Sequence, residues 1–125
     1  MSGLHLIVRV FAFTDRSGFA VPRRGAVKVW SAAVERLVVQ HLSPVLDVAG
    51  TRPGLAEIRL DVLPNGKLTA ARVETTSGAE GTDAALTAGL MSGLRVPALP
   101  TAVTAASFLL LVEMSSAPVS AENAA

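Results

Sequence analysis

Residues 55–100 decide the fold of this chain, and they read LAEIRLDVLPNGKLTAARVETTSGAEGTDAALTAGLMSGLRVPALP. Apolar and polar residues alternate in residues 55–63, which is typical of a strand with one buried face. Asn65 and Gly66 follow, and an Asn-Gly pair tolerates the positive φ values of a two-residue hairpin loop. Residues 68–75 then form a second strand, which we predict to return antiparallel to the first.

A short helix and a proline-containing exit follow the hairpin. We expect the helix to begin near Thr82, whose hydroxyl can cap the first turn, while Asp83 complements the helix dipole. Gly93 favours the end of this helix. Pro97 and a second proline three residues later fix an extended connection. Residues 108–114, FLLLVEM, are predicted to form the last main strand.

A longer helix is predicted before the hairpin. Apolar residues recur at helical spacing in residues 29–42, which indicates an amphipathic helix of about three turns. Trp30, the only tryptophan, is predicted to anchor this helix to the sheet, because aromatic side chains bury a large area. Ser43 precedes Pro44, and a residue before proline is pushed out of the helical region. We therefore predict that the helix ends there.

The first residues add a further strand. Residues 4–13 read LHLIVRVFAF, and both faces of such a strand are largely apolar. This pattern is typical of a strand covered on both sides, or of one whose neighbours belong to another chain. Residues 14–26 have no periodicity and are interpreted as a loop.

The element order, strand, helix, strand, strand, helix, strand, predicts one α+β domain. We expect a small antiparallel sheet of three or four strands with two helices packed on one face. In this arrangement residues 1–28 form an extra N-terminal strand and loop, and residues 29–114 form the main domain. Residues 115–125 are small and polar, which predicts a disordered tail.

Composition argues against several classes of function. Half of the 125 residues are hydrophobic and the formal charge is +1, which gives no electrostatic case for nucleic acid or an anionic membrane surface. There are no cysteines, and no apolar run reaches the roughly 20 residues of a membrane-spanning helix. His5 and His41 are far apart in sequence, and the carboxylates show no ligand spacing. We therefore predict no metal site, no cofactor and no enzymatic activity.

Taken in order, the same motifs resemble the C-terminal domain family of TonB and TolA, proteins that carry energy from the inner to the outer membrane of Gram-negative bacteria. The family pattern is an alternating strand, a hairpin, a strand ending near S-S-G, a helix with a D-x-A-A-L-like start, and a short exit before a last strand. The resemblance covers roughly residues 29–114, with Leu94 where the family has tryptophan. The matching residues are 56–62, 64–68, 71–74, 76–78, 83–86, 94–97 and Pro100.

The resemblance implies a non-enzymatic, periplasmic module that serves energy transduction and transport. Such a module docks an outer-membrane receptor, or another envelope protein, by β-strand addition. A small antiparallel sheet ends in an unpaired strand, and we expect that edge in the last strand, at Phe108, Leu109, Leu110, Leu111, Val112, Glu113 and Met114.

Three alternatives remain open from the sequence. In the first, residues 4–13 fill the same edge within the chain. In the second, residues 4–13 exchange between protomers and make a homodimeric scaffold, in which the sheet edges of one protomer pair with those of the other. A weaker alternative is a carrier that holds a small ligand in the groove between helices and sheet.

Overall fold

The structure is a computed structural model that describes residues 4–48, 53–100 and 105–116. Its elements in chain order are β1 (Leu4–Asp15), α1 (Ala26–Val48), β2 (Gly54–Val62), β3 (Leu68–Thr75), α2 (Glu80–Met91) and β4 (Ala105–Ser116). The predicted α+β fold, a small antiparallel sheet with two helices, is confirmed. Residues 115 and 116 of the predicted tail belong to β4, and the rest of that tail lies outside the described residues.

The four strands form one antiparallel sheet in the order β1-β4-β2-β3. Val112 of β4 pairs with Val8 of β1 on one side and with Ala56 of β2 on the other. β4 is therefore central, because β1 covers the side that the prediction left open. The prediction of an unpaired edge in this strand is therefore wrong. Both neighbours pair with Leu109, Leu110, Leu111, Val112, Glu113 and Met114, and Phe108 pairs with β2 opposite the bulge in β1.

Both helices pack on one face of the sheet. α1 lies against β1, α2 lies against β3, and the two helices contact each other. The strand side chains on that face are buried, and the most central are Val10, Ile58, Leu60, Phe108 and Leu110. Burial of this apolar layer is the main stabilising contribution, since each fully buried aliphatic side chain contributes roughly 1.5–3 kcal/mol.

A β-bulge in β1 brings one aromatic ring into the core. Simple alternation places Phe13 on the same face as Phe11, but the register between β1 and β4 shifts after Phe11, and Ala12 has a φ of 52°. Phe13 therefore faces the helices, where its ring centroid lies 6.1 Å from that of Trp30 and 5.8 Å from that of Phe108. Trp30 is only 4% exposed, so it joins α1 to the sheet as its predicted anchoring role requires.

α1 continues through Pro44 and ends at Val48, so the predicted end at Ser43 is wrong. Proline has no N–H to donate to the carbonyl four residues earlier, which costs the helix one hydrogen bond. Tertiary packing offsets that loss, because Leu42 and Leu46 on either side of the proline are completely buried.

The hairpin turn between β2 and β3 has three loop residues. The amide of Gly66 donates to the carbonyl of Leu63 at 2.8 Å, and the amide of Leu63 donates to the carbonyl of Lys67 at 2.8 Å. Gly66 has a φ of +89°, whereas Asn65 acts through its side chain, which accepts a hydrogen bond from the Lys67 amide at 2.9 Å. This is a three-residue loop closed by a left-handed glycine, so the predicted two-residue loop is wrong.

Candidate partner-binding edge

β3 forms a free edge of the sheet. It pairs with β2 on one side. Among the described residues, no loop or side chain hydrogen-bonds to the main chain of Leu68–Thr75 on the other side. A strand edge of this kind presents unpaired N–H and C=O groups to which another strand can bind.

The direction of these main-chain groups follows from the turn. The amide of Leu63 donates to the carbonyl of Lys67, so the main-chain groups of Leu63 point toward β3. Because these groups alternate in direction along a strand, the main-chain groups of Arg59 point toward β3 as well. Arg59 pairs with Arg72, whose main chain therefore points toward β2. The main-chain groups of Ala71 and Val73, the residues on either side of Arg72, then point away from the sheet.

Two register shifts limit how much of this edge is regular. Asp61 and Val62 pair with Ala70 and Leu68, which leaves one extra residue, Thr69, on β3. A second shift beside Glu57 leaves Glu74 as an extra residue near the other end. Bulges bend a strand and interrupt its pairing. The regular part of the edge is therefore the four-residue segment 70–73.

The other edge of the sheet, β1, is closed over half of its length. The amide of Val10 donates to Oε2 of Glu35 at 2.8 Å, and its carbonyl accepts a hydrogen bond from Nη1 of Arg23 at 2.8 Å. Further along, the carbonyl of Phe13 accepts a hydrogen bond from the amide of Val21 at 2.8 Å. Side chains and loop thus occupy the groups that a partner strand would need. Alternation leaves Leu4, Leu6 and Val8 of this strand with main-chain groups pointing outward.

A cavity of about 420 Å³ lies where β3 begins. It lies between the hairpin turn, the C-terminal end of α2 and the connection to β4. Two cationic side chains, Lys67 and Arg95, line it together with Asn65, Gly66, Leu68, Leu90, Met91, Gly93, Leu94 and Val96. The volume is within the range of protein ligand sites.

The opposite end of β3 carries acidic side chains. Glu74 lies on β3 and its Oε2 is 3.7 Å from Nε of Arg59. Glu57 lies on β2 beside Thr75, whose hydroxyl donates to Oε1 of Glu57 at 2.7 Å. Glu80 begins α2 a few residues later. The edge is therefore electrostatically polar, with cations at its start and carboxylates at its end.

Asp83 connects the end of β3 to α2. Its Oδ1 accepts hydrogen bonds from the amide of Ser77 at 2.9 Å and from the hydroxyl of Ser77 at 2.6 Å, and its Oδ2 accepts one from the hydroxyl of Thr76. α2 begins at Glu80, two residues before the predicted start. Asp83 therefore holds the preceding loop onto the helix, in addition to lying near the positive end of the helix dipole.

These contacts determine the ionisation of Asp83. Burial raises the pKa of Asp83, but hydrogen bonds from the Ser77 hydroxyl, the Thr76 hydroxyl and the Ser77 amide outweigh it, so the pKa lies below its usual value of 3.8. A carboxyl with a depressed folded-state pKa stabilises the fold above its unfolded pKa, and this contribution is lost as the pH falls through the folded value.

We expect the Asp83→Ala variant to be about 1 kcal/mol less stable than the parent at neutral pH, the usual net contribution of a hydrogen bond to stability. The difference should shrink as the pH falls below about 4, because protonation has already weakened the contacts in the parent. Urea unfolding at pH 7 and pH 3 measures both effects. An equal difference at the two pH values would contradict the role of the ionised carboxylate.

Pro97 holds the connection to β4 against the hairpin turn. Its carbonyl accepts a hydrogen bond from Nε1 of Trp30 at 2.8 Å. Two residues later, the amide of Leu99 donates to the carbonyl of Pro64 at 2.9 Å. The predicted structural residues Trp30, Pro97 and Gly66 therefore meet at one place, next to the cavity.

Sequence reasoning placed the binding edge on the wrong strand, although a usable signal was present. Residues 69–75 read TAARVET, whereas residues 108–112 read FLLLV. A strand that is apolar on both faces belongs in the centre of a sheet, and a strand with charged and hydroxyl side chains suits an edge. The roles of Lys67 and Arg95 carried no comparable signal, because 27 intervening positions separate them in the chain.

The described residues contain no group of side chains that could hold a metal ion. Of the two histidines, His41 has its Nε2 atom 2.8 Å from the carbonyl of Gly89, which links α1 to α2. None of the helices in the described part of the chain is long and apolar enough to cross a membrane.

Comparisons with models of protein families, with curated proteins and with solved structures find no match to this chain. The resemblance to the TonB and TolA C-terminal domain family therefore stays a prediction that depends on the quoted motifs.

Proposed function

We propose that this chain is a non-enzymatic protein-binding module that docks an extended peptide segment on the free edge of β3. The observation that carries the proposal is the unpaired main chain of Ala71 and Val73, flanked by charges of opposite sign at the two ends of the strand. Main-chain hydrogen bonds provide affinity in this mode of recognition, and the side-chain surroundings provide specificity.

The motif resemblance supports the same class of function in the bacterial cell envelope. A TonB- or TolA-like role would place the module in the periplasm, with a receptor or another envelope protein as the partner. The docking strand proposed here is β3, because β4 already pairs on both sides.

A second candidate function is homodimeric assembly through β1. The outward main-chain groups of Leu6 and Val8 favour it, and a groove beside them is lined by Val8, Ala32, Glu35, Arg36, Val39 and Gln40. The pairing of Val10 with Glu35 and Arg23 ends such a ladder after a few residues. A short two-strand interface buries little area compared with a stable dimer, so docking at β3 is the leading proposal.

Proline substitutions distinguish the two edges. Val73→Pro removes an outward N–H from β3 without removing a hydrogen bond to β2, and we expect it to weaken peptide binding at least tenfold. Val8→Pro is the matched control on β1 and should leave peptide binding unchanged. The probe is a pool of random octapeptides immobilised through their N-termini, half with free C-terminal carboxylates and half with C-terminal amides.

Amide hydrogen exchange of the unmodified chain provides a second measurement that does not depend on a variant. Bound peptide should slow the exchange of the Ala71 and Val73 amides, because docking pairs them. Peptide binding that survives Val73→Pro, with unchanged exchange at these amides, would contradict docking at β3. A dimer in sedimentation that Val8→Pro dissociates, without any peptide binding, would favour the assembly function instead.

A further inference from the structure

The cavity at the start of β3 is lined by both apolar and cationic side chains. Such a lining suits a ligand group with an apolar part and an anionic part. Its apolar surface comes from Leu68 and Val96, which are each 7% exposed, while Leu90 is completely buried behind them. Met91 is 43% exposed at its margin, and the flexible thioether chain of methionine adapts to side chains of different shape. The apolar part of the cavity therefore suits one aliphatic or aromatic side chain.

The charged part of the cavity is cationic. Lys67 and Arg95 both line it, and the lining includes no Asp or Glu. In residues 4–48, 53–100 and 105–116, neither side chain is in an ion pair. Two unneutralised cations in a cavity that also has an apolar part favour a carboxylate attached to an apolar group, because charge-assisted hydrogen bonds to a carboxylate are stronger than neutral ones.

The charges along β3 also determine the direction of a docked strand. An antiparallel partner ends beside Leu68, where Lys67 and Arg95 attract its C-terminal carboxylate. Its upstream residues then lie beside the carboxylates of Glu57 and Glu74. Glu74 is already paired with Arg59, so Glu57 is the group that favours a basic side chain or an amino group. A parallel partner would bring its carboxylate to these acidic groups, and like charges at short distance are destabilising.

The length of the regular edge fits the same occupant. Bulges at Thr69 and Glu74 leave a four-residue ladder in segment 70–73. A long partner strand would lose its pairing at both bulges. An internal segment of a partner continues past both bulges, whereas a C-terminal segment ends at one of them. A short C-terminal segment therefore suits this edge better than an internal one.

We propose that the partner docked on β3 is the C-terminal segment of another protein, which ends in an apolar residue. Its terminal carboxylate lies between Lys67 and Arg95, and its last side chain enters the cavity beside Leu68, Met91 and Val96. This inference rests on the proposed function of β3, and it specifies the chemistry of the ligand.

The test compares free acids with amides. Octapeptides with a C-terminal Leu, Val or Phe are selected from the random pool, and each is synthesised again with a free carboxylate and with a C-terminal amide. We expect amidation to weaken binding about tenfold, as for the loss of one charge-assisted interaction. Lys67→Gln and Arg95→Gln should each weaken binding of the acid and leave binding of the amide unchanged. Lys28→Gln, on the exposed surface of α1, is the charge-matched control.

The outcomes separate this inference from the proposed function. Equal binding of acids and amides that is lost with Val73→Pro would overturn the C-terminal assignment and leave strand addition intact. A preference for acids that survives Lys67→Gln and Arg95→Gln would also overturn the assignment. The absence of binding by either peptide form would overturn both proposals.

Discussion

The Gly66→Ala variant is expected to lose about 3–5 kcal/mol of unfolding free energy, a large part of the 5–15 kcal/mol that stabilises a typical domain. Two effects add at this position. Gly66 has a φ of +89°, where a side chain costs roughly 1–2 kcal/mol. A Cβ there would also lie 2.3 Å from the carbonyl oxygen of Val96 and 2.8 Å from that of Pro97. Both neighbours are main chain, so the whole connection to β4 has to move.

Gly78→Ala is the matched control for this prediction. Gly78 has a φ of +90°, but nothing lies within 4 Å of the position that its Cβ would take. The control should therefore lose only the conformational part, roughly 1–2 kcal/mol. Chemical unfolding of both variants measures the difference between them, which is the cost of displacing the connection. Equal losses in the two variants would contradict the close approach of Gly66 to Val96 and Pro97.

Gly66→Ala should also affect peptide binding. Lys67 follows Gly66 directly, and Arg95 lies in the connection that the new side chain would displace. Binding of a free-acid peptide should therefore decrease more than binding of its amide. Gly78 lies beyond the other end of β3, so Gly78→Ala should not change the ratio of free-acid binding to amide binding.

The fold class could be predicted from the sequence because alternation and helical spacing are strong local signals in this chain. Residues 55–63 alternate cleanly, and β2 is observed at Gly54–Val62. The turn residues 64–67 marked the hairpin, and Trp30 marked the helix that packs on the sheet. These patterns determine which elements form, but they do not determine which strands are neighbours.

Alternation and helical spacing do not predict the edge strand, because strand order depends on long-range pairing; the polar composition of residues 69–75 was the available signal. β1 pairs with β4 across about one hundred residues of sequence, and no local pattern records that contact. Once β1 occupies this position, the apolar strand β4 becomes central and the more polar β3 becomes the free edge. The bulge at Ala12 and the continuation of α1 through Pro44 have the same origin. In both places burial of apolar side chains, Phe13 in one and Leu46 in the other, overrides the local preference.

The Trp30→Ala variant is expected to lose about 3–5 kcal/mol of unfolding free energy, the usual cost of truncating a buried aromatic side chain. Trp30 packs edge-to-face against Phe108 at 5.5 Å between ring centroids and against Phe13 at 6.1 Å. Its Nε1 atom also donates to the carbonyl of Pro97 at 2.8 Å. The truncation therefore opens a cavity between α1 and the sheet and releases the connection to β4.

Trp30→Phe separates these two contributions. It retains an aromatic ring in the core but removes the hydrogen bond to Pro97, and we expect it to lose about 1–2 kcal/mol. Because Gly66→Ala displaces the same Pro97 carbonyl, the hydrogen bond from Trp30 should already be broken in that variant. Trp30→Phe should then cost less in the Gly66→Ala background than in the parent, by at least 0.5 kcal/mol on the scale of coupled neighbours. Strictly additive losses would show that Trp30 and Gly66 do not act on the connection together, and that the hairpin turn, Pro97 and α1 are stabilised independently.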